Sequence, residues 1–150
     1  MFDVSRSEVR QFFFDVREKS KRAQPLTALE DMALSIISHH PEYHSLLDQP
    51  ERFRDKDWSV SEGDSNPFLH LSLHLAIEEQ LSIDQPPGIK ESYHKLCLAL
   101  KDEHLARHEL LDALTEMVWQ AEVNGQPLDN QRYLSLVAQK LNTLNIALRP

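Results

Sequence analysis

The sequence predicts an all-α fold, a compact bundle of about five to six helices in one domain. Three observations carry that expectation. Apolar residues recur three and four apart along most of the chain, the spacing of one face of a helix. Glycine occurs three times in 150 residues, too seldom for a chain rich in tight turns. The eight prolines mostly stand between the periodic segments, where they punctuate helices.

The elements follow in order. Ser5 and Glu8 form a capping box, Ser-x-x-Glu, ahead of Val9, Phe12, Phe13 and Val16, which predicts a first helix to about Lys21. Thr27 and Glu30 repeat the box before Leu29, Met32, Ala33, Ile36 and Ile37. This second helix ends near His40, because a proline at 41 disfavours helical geometry in the residue before it. Pro41 then opens a short third helix to about Leu47 and makes His40 its cap. The polar stretch 50–65 reads as a long loop, with a helical turn around Glu51 to Arg54.

Asn66-Pro67 starts the next helix, which is apolar around most of its circumference and runs to about Ile83. A helix of that kind belongs in the interior of a bundle. Asp84-Gln85-Pro86-Pro87-Gly88 breaks the chain. Ile89, Tyr93, Leu96, Cys97 and Leu100 mark another helix, with a break expected near Asp102. Leu105, His108, Leu111, Leu114 and Val118 carry the following one to Asn124-Gly125. Asp129 is placed to cap the last, on which Tyr133, Leu134, Val137 and Leu141 share a face, and fraying is expected in the tail from Asn142 to Pro150. Trp58 and Trp119 are expected to anchor packing.

Composition removes several functional classes. The net charge is −8, and the one short basic stretch, Arg17 to Arg22, contains Glu18 and suits the C-terminal turn of a helix, so nucleic acid is not an expected partner. No apolar run approaches the length of a membrane span. The N-terminal residues are mixed and charged, without the apolar core of a signal peptide, and the lone Cys97 cannot form an intrachain disulfide. The expected location is the cytoplasm. Cys97, between Leu96 and Leu98, reads as a small hydrophobe. Phosphate loops, nucleophile elbows and Cys/His fingers are absent from the sequence.

The histidines stand out. Eight occur, and six of them form three His-x-x-x-His pairs: His40/His44, His70/His74 and His104/His108. Random placement gives roughly 0.4 such pairs. On a helix, residues four apart lie one turn apart on one face, with β-carbons about 5–6 Å apart, so two imidazoles there can reach one metal ion. His70, His74 and Glu78 form the series His-x-x-x-His-x-x-x-carboxylate, and His104, His108 and Asp112 repeat it. These eight side chains are the expected ligands, with Glu78 and Asp112 either binding metal or orienting imidazoles. Zinc or iron is the expected metal. His104-Leu-Ala-Arg-His108 lacks the glutamate of the zinc-protease motif, and Glu91-x-x-His94 occurs once where ferritin-type sites need it twice, so Glu91 and His94 are expected on the surface. The competing reading is a metal-free interaction or structural module, with core histidines bonded to backbone carbonyls and a protein partner.

The strings His40-Pro41-Glu42-Tyr43-His44, Asn66-Pro67-Phe68-Leu69-His70-Leu71-Ser72-Leu73-His74-Leu75-Ala76-Ile77 and Asp84-Gln85-Pro86-Pro87-Gly88-Ile89 resemble the bacterial family called domain of unknown function 1841. The resemblance covers roughly residues 1–140. It implies a small, mainly proteobacterial, cytoplasmic protein. It assigns no reaction and supplies no catalytic residues. A looser likeness is to hemerythrin-like bundles, whose two-iron site uses His-x-x-x-His and His-x-x-x-Glu pairs. His104/His108 and His74/Glu78 fit those spacings, while the order of the segments between them departs from that pattern.

Overall fold

A computed structural model of the chain describes residues 6–58 and 66–147, with side chains through Asn145. Among these residues there is no strand. The helices are α1 (Arg6–Lys21), α2 (Ala28–Ser38), a 3-10 turn (Pro41–Tyr43), α3 (His44–Leu47), α4 (Pro50–Phe53), α5 (Pro67–Ile83), α6 (Ile89–Leu100), α7 (Glu103–Asn124) and α8 (Asn130–Ala147). That is eight α-helices, against the five to six expected. The excess comes from α3 and α4, single turns that the sequence marks only as a short helix opened by Pro41 and a helical turn around Glu51 to Arg54. Ser5 of the first capping box and the later part of the expected loop, residues 59–65, lie outside the described residues.

The chain divides into two compact units, Met1–Ala76 and Ile77–Pro150. No shift in composition marks the boundary, which falls inside α5. In the first unit α1 packs on α2, and α3 packs on both α1 and α4. Its core contains Phe13, Phe14, Val16, Ala33, Ile36, Ile37, Leu47, Phe68, Leu71 and Leu75. A fully buried side chain such as Phe13 contributes roughly 1.5–3 kcal/mol relative to exposure. The Thr27/Glu30 capping box is complete: the Thr27 hydroxyl accepts from the Glu30 amide, and the Glu30 carboxylate accepts from the Thr27 amide. Lys19 of α1 also binds that carboxylate at 2.7 Å, joining the cap to the neighbouring helix.

Arg10 is the unusual residue of this core. It is buried, with 1% of its surface exposed, and donates through Nη1 to the carbonyls of Arg54 at 2.9 Å and Lys56 at 2.8 Å. Its guanidinium lies 5.1 Å from the Trp58 ring centroid and 5.0 Å from that of Phe68. Burial first, then the charge of Arg6, lowers its pKa. Trp58 also meets Phe53 and Phe68, as a packing anchor should.

In the second unit α6, α7 and α8 each pack on the other two. Asp84 closes the turn after α5 by accepting from the amides of Gly88 and Lys90. Gly88 stands before α6 at φ 98° and Gly125 after α7 at φ 60°, the left-handed conformation a glycine takes without strain. Asp102 caps α7 by accepting from the Leu105 amide at 2.9 Å, so the expected break between α6 and α7 is present. Asp129 accepts from the Arg132 amide at 3.1 Å ahead of the last helix. That helix continues to Ala147, past Asn142 where fraying was expected. Leu141 and Leu144 are both partly buried and extend its apolar stripe. Trp119 does not anchor packing: it is 61% exposed, because its position on α7 falls outside the buried stripe of Leu110, Leu114 and Met117. Cys97 is partly buried, and Glu91 and His94 are exposed as expected.

Candidate metal centre

The site starts from two local decisions of the chain. The first is the end of α2. His39 closes that helix, and His40, ahead of Pro41, takes φ −127° and ψ 64°, outside helical geometry. The His40 side chain does not cap the following turn. Its Nδ1 instead meets the carbonyl of Ile36 at 2.8 Å, within a ring that is almost fully buried. A carbonyl oxygen only accepts, so Nδ1 carries the proton and Nε2 of the neutral ring carries the lone pair.

The second is the start of α5. The Asn66 side chain accepts from the amides of Phe68 and Leu69, fixing the first turn at Pro67. From there the helical repeat puts His70 and His74 one turn apart on the same face. Their Nε2 atoms are 3.2 Å apart, and Nε2 of His70 is 3.1 Å from Nε2 of His40. The three ring centroids are 4.7–4.9 Å apart and the planes are inclined by 59–74° to one another.

These separations fit a shared ion. Metal–nitrogen bonds of about 2.0–2.1 Å place two nitrogens about 2.9 Å apart at a right angle and about 3.3 Å apart at the tetrahedral angle. Both His70 separations, 3.1 and 3.2 Å, fall between those limits. Tyr43 supports the group from the side. Its ring lies parallel to His40, with centroids 5.6 Å apart, and meets His70 edge-on at 6.1 Å. Burial, with the charge of Glu42 second, pushes the Tyr43 phenol above its ordinary pKa.

The other expected ligands have different surroundings. His44 Nε2 donates to the carbonyl of Ile37 at 2.9 Å, which occupies that nitrogen. In the second unit, His108 Nδ1 donates to the carbonyl of His104 at 3.0 Å, the same tautomer as His40, and the two rings meet edge-on at 4.3 Å. Glu78 binds Arg107. Burial of Arg107 works against its charge, but the bond to Glu78 outweighs it and the guanidinium pKa rises. Asp112 is exposed on α7. Neither the role of Tyr43 nor the Glu78–Arg107 pair was read from sequence. Tyr43 sits visibly between His40 and His44, but no spacing rule connects Glu78 with a residue 29 positions away.

Fold and site therefore define an all-helical protein carrying a buried cluster of imidazoles suited to a transition metal. The model of the family described as Domain of unknown function (DUF1841) matches residues 5–139, and the chain belongs to that family. No curated protein and no solved structure matches the chain. No helix among the described residues is long and apolar enough to cross a membrane.

Proposed function

We propose that this protein binds a transition-metal ion through Nε2 of His40, His70 and His74. The observation that carries the reading is the convergence of three ring nitrogens, 3.1 and 3.2 Å from the central one. The Ile36 carbonyl sets the His40 tautomer from behind, as an outer partner of a metal-bound imidazole does. Neutral imidazoles suit zinc and iron, the ions we favour. The sequence pattern nominates His104 and His108 as further ligands. An ion with an exchangeable ligand position would act as a Lewis acid, with the three histidines orienting it. The lone Cys97, which rules out an intrachain disulfide, suits a cytoplasmic setting.

Elemental analysis of untagged protein, purified without chelator, tests the proposal beside a His70→Ala/His74→Ala variant. Near-stoichiometric zinc or iron in the wild type and little in the variant supports it. A wild-type protein that carries no metal and takes up none on reconstitution overturns it.

A second reading, a metal-free module that docks a protein partner, is favoured by Trp119 and Val123. They stand one turn apart on α7 and are 61% and 62% exposed. Apolar side chains this exposed and adjacent are a feature of contact surfaces. A metal-free wild type that retains a partner through Trp119 would favour this reading.

A further inference from the structure

The donor atoms of the cluster are chemically uniform. Among the described residues the group that can share an ion consists of histidines, and no aspartate, glutamate or cysteine joins it. His40 holds its Nδ1 proton against the Ile36 carbonyl, so it coordinates as a neutral imidazole rather than as an imidazolate. A carbonyl behind the ring, unlike a carboxylate, adds no negative charge.

Two carboxylates of the first unit are already committed. Glu30 binds Lys19, and Asp48 binds Arg17 and Lys21. Glu78, which the sequence pattern offered as a ligand or an acceptor orienting an imidazole, is paired with Arg107. The histidine donors themselves bring no negative charge to a divalent ion. His40 is 4% exposed and His74 2%, so solvent screens the ion's charge poorly. An uncompensated buried charge is costly, and a bound cation is the largest local charge in its surroundings.

We infer that the ion in this site takes a small exogenous anion as a further ligand. The inference rests on the metal-binding reading above. The class is a monoanion with an oxygen or nitrogen donor, compact enough to approach an ion ringed by three imidazoles. The anion binds by displacing a coordinated water, with no change of oxidation state and no covalent bond to the chain. His40, His70 and His74 hold the ion, and the anion supplies the charge that the protein's donors do not.

Cobalt(II) and azide are the probes. Untagged wild-type protein is stripped of metal, loaded with one equivalent of cobalt(II), and titrated with azide in a buffer of weakly coordinating anions. A saturable, one-to-one change in the visible cobalt bands is expected, and it should persist in His44→Ala. Cobalt bands that form but do not respond to azide overturn the inference and leave the metal-binding reading standing. If no protein-bound cobalt bands form at all, the metal-binding reading fails and the inference falls with it.

Discussion

Two histidine pairs of identical spacing, His40/His44 and His70/His74, meet different fates in the same unit. The second lies on the uninterrupted helix α5, and both of its rings point to one place, with Nε2 atoms 3.2 Å apart. The first is divided by Pro41. His40 leaves the end of α2 in a non-helical conformation and reaches the His70 ring, whereas His44 opens α3 and donates to the Ile37 carbonyl. Spacing of four aligns two side chains only where the helix between them is continuous. Where proline breaks the helix, each histidine is placed by its own backbone.

The largest effect should come from removing the continuous pair. His74→Ala is expected to lower metal affinity roughly tenfold or more with the helical circular dichroism unchanged, because a ligand is lost outright. His44→Ala should leave metal content untouched. Equal loss in both variants, read by elemental analysis, would erase the distinction between the pairs.

Changing the break itself comes next. Pro41→Ala relieves the restriction on His40 and lets α2 extend through it, turning its ring away from α5. Metal binding should weaken by about tenfold, within the range found when the partners that orient a ligand are lost. Unchanged affinity in a competition titration would show that the proline does not position His40.

The isolated effect of His44 is smaller. His44→Ala removes one partly buried hydrogen bond to the Ile37 carbonyl, worth about 1 kcal/mol. Thermal unfolding of the metal-free protein should drop by about 2–4 °C. A fall much larger than this would mean that His44 carries more of the corner than its one bond.

The smallest is electrostatic. Asp48 follows α3 and receives Arg17 at 2.9 Å and Lys21 at 3.1 Å. The Arg17 hydrogen bond, working against burial and reinforced by Lys21, holds its carboxyl below the ordinary value. A lowered carboxylate pKa contributes stability above the unfolded value of about 4, and that contribution is lost as pH falls through the folded value. Asp48→Asn should therefore lower Tm by about 1–3 °C at pH 7, with the gap closing toward pH 3. A gap that persists in acid would point to shape rather than charge.

Much of the fold was legible because its signals are local. The Thr27/Glu30 box, Asn66-Pro67, Asp102, Gly125 and Asp129 act on amides or backbone within a few residues of themselves, and each marks a helix end in the structure. The single turns α3 and α4 were legible only through the prolines and turn signals around them, because four residues cannot display a period. The division within α5 escaped because it follows from contacts between elements, which leave no mark in composition.

The site divides in the same way. Sequence alone determined that His70 and His74 share a face, since the repeat of an unbroken helix does that without help from the rest of the chain. It also determined that Pro41 would end α2 before His44. Only the tertiary structure decided that His40 meets His70 across 30 positions, that His44 turns to a carbonyl, and that Glu78 serves Arg107. Spacing cannot register such choices, because they depend on which hydrogen-bond partner a folded neighbour brings within about 3 Å.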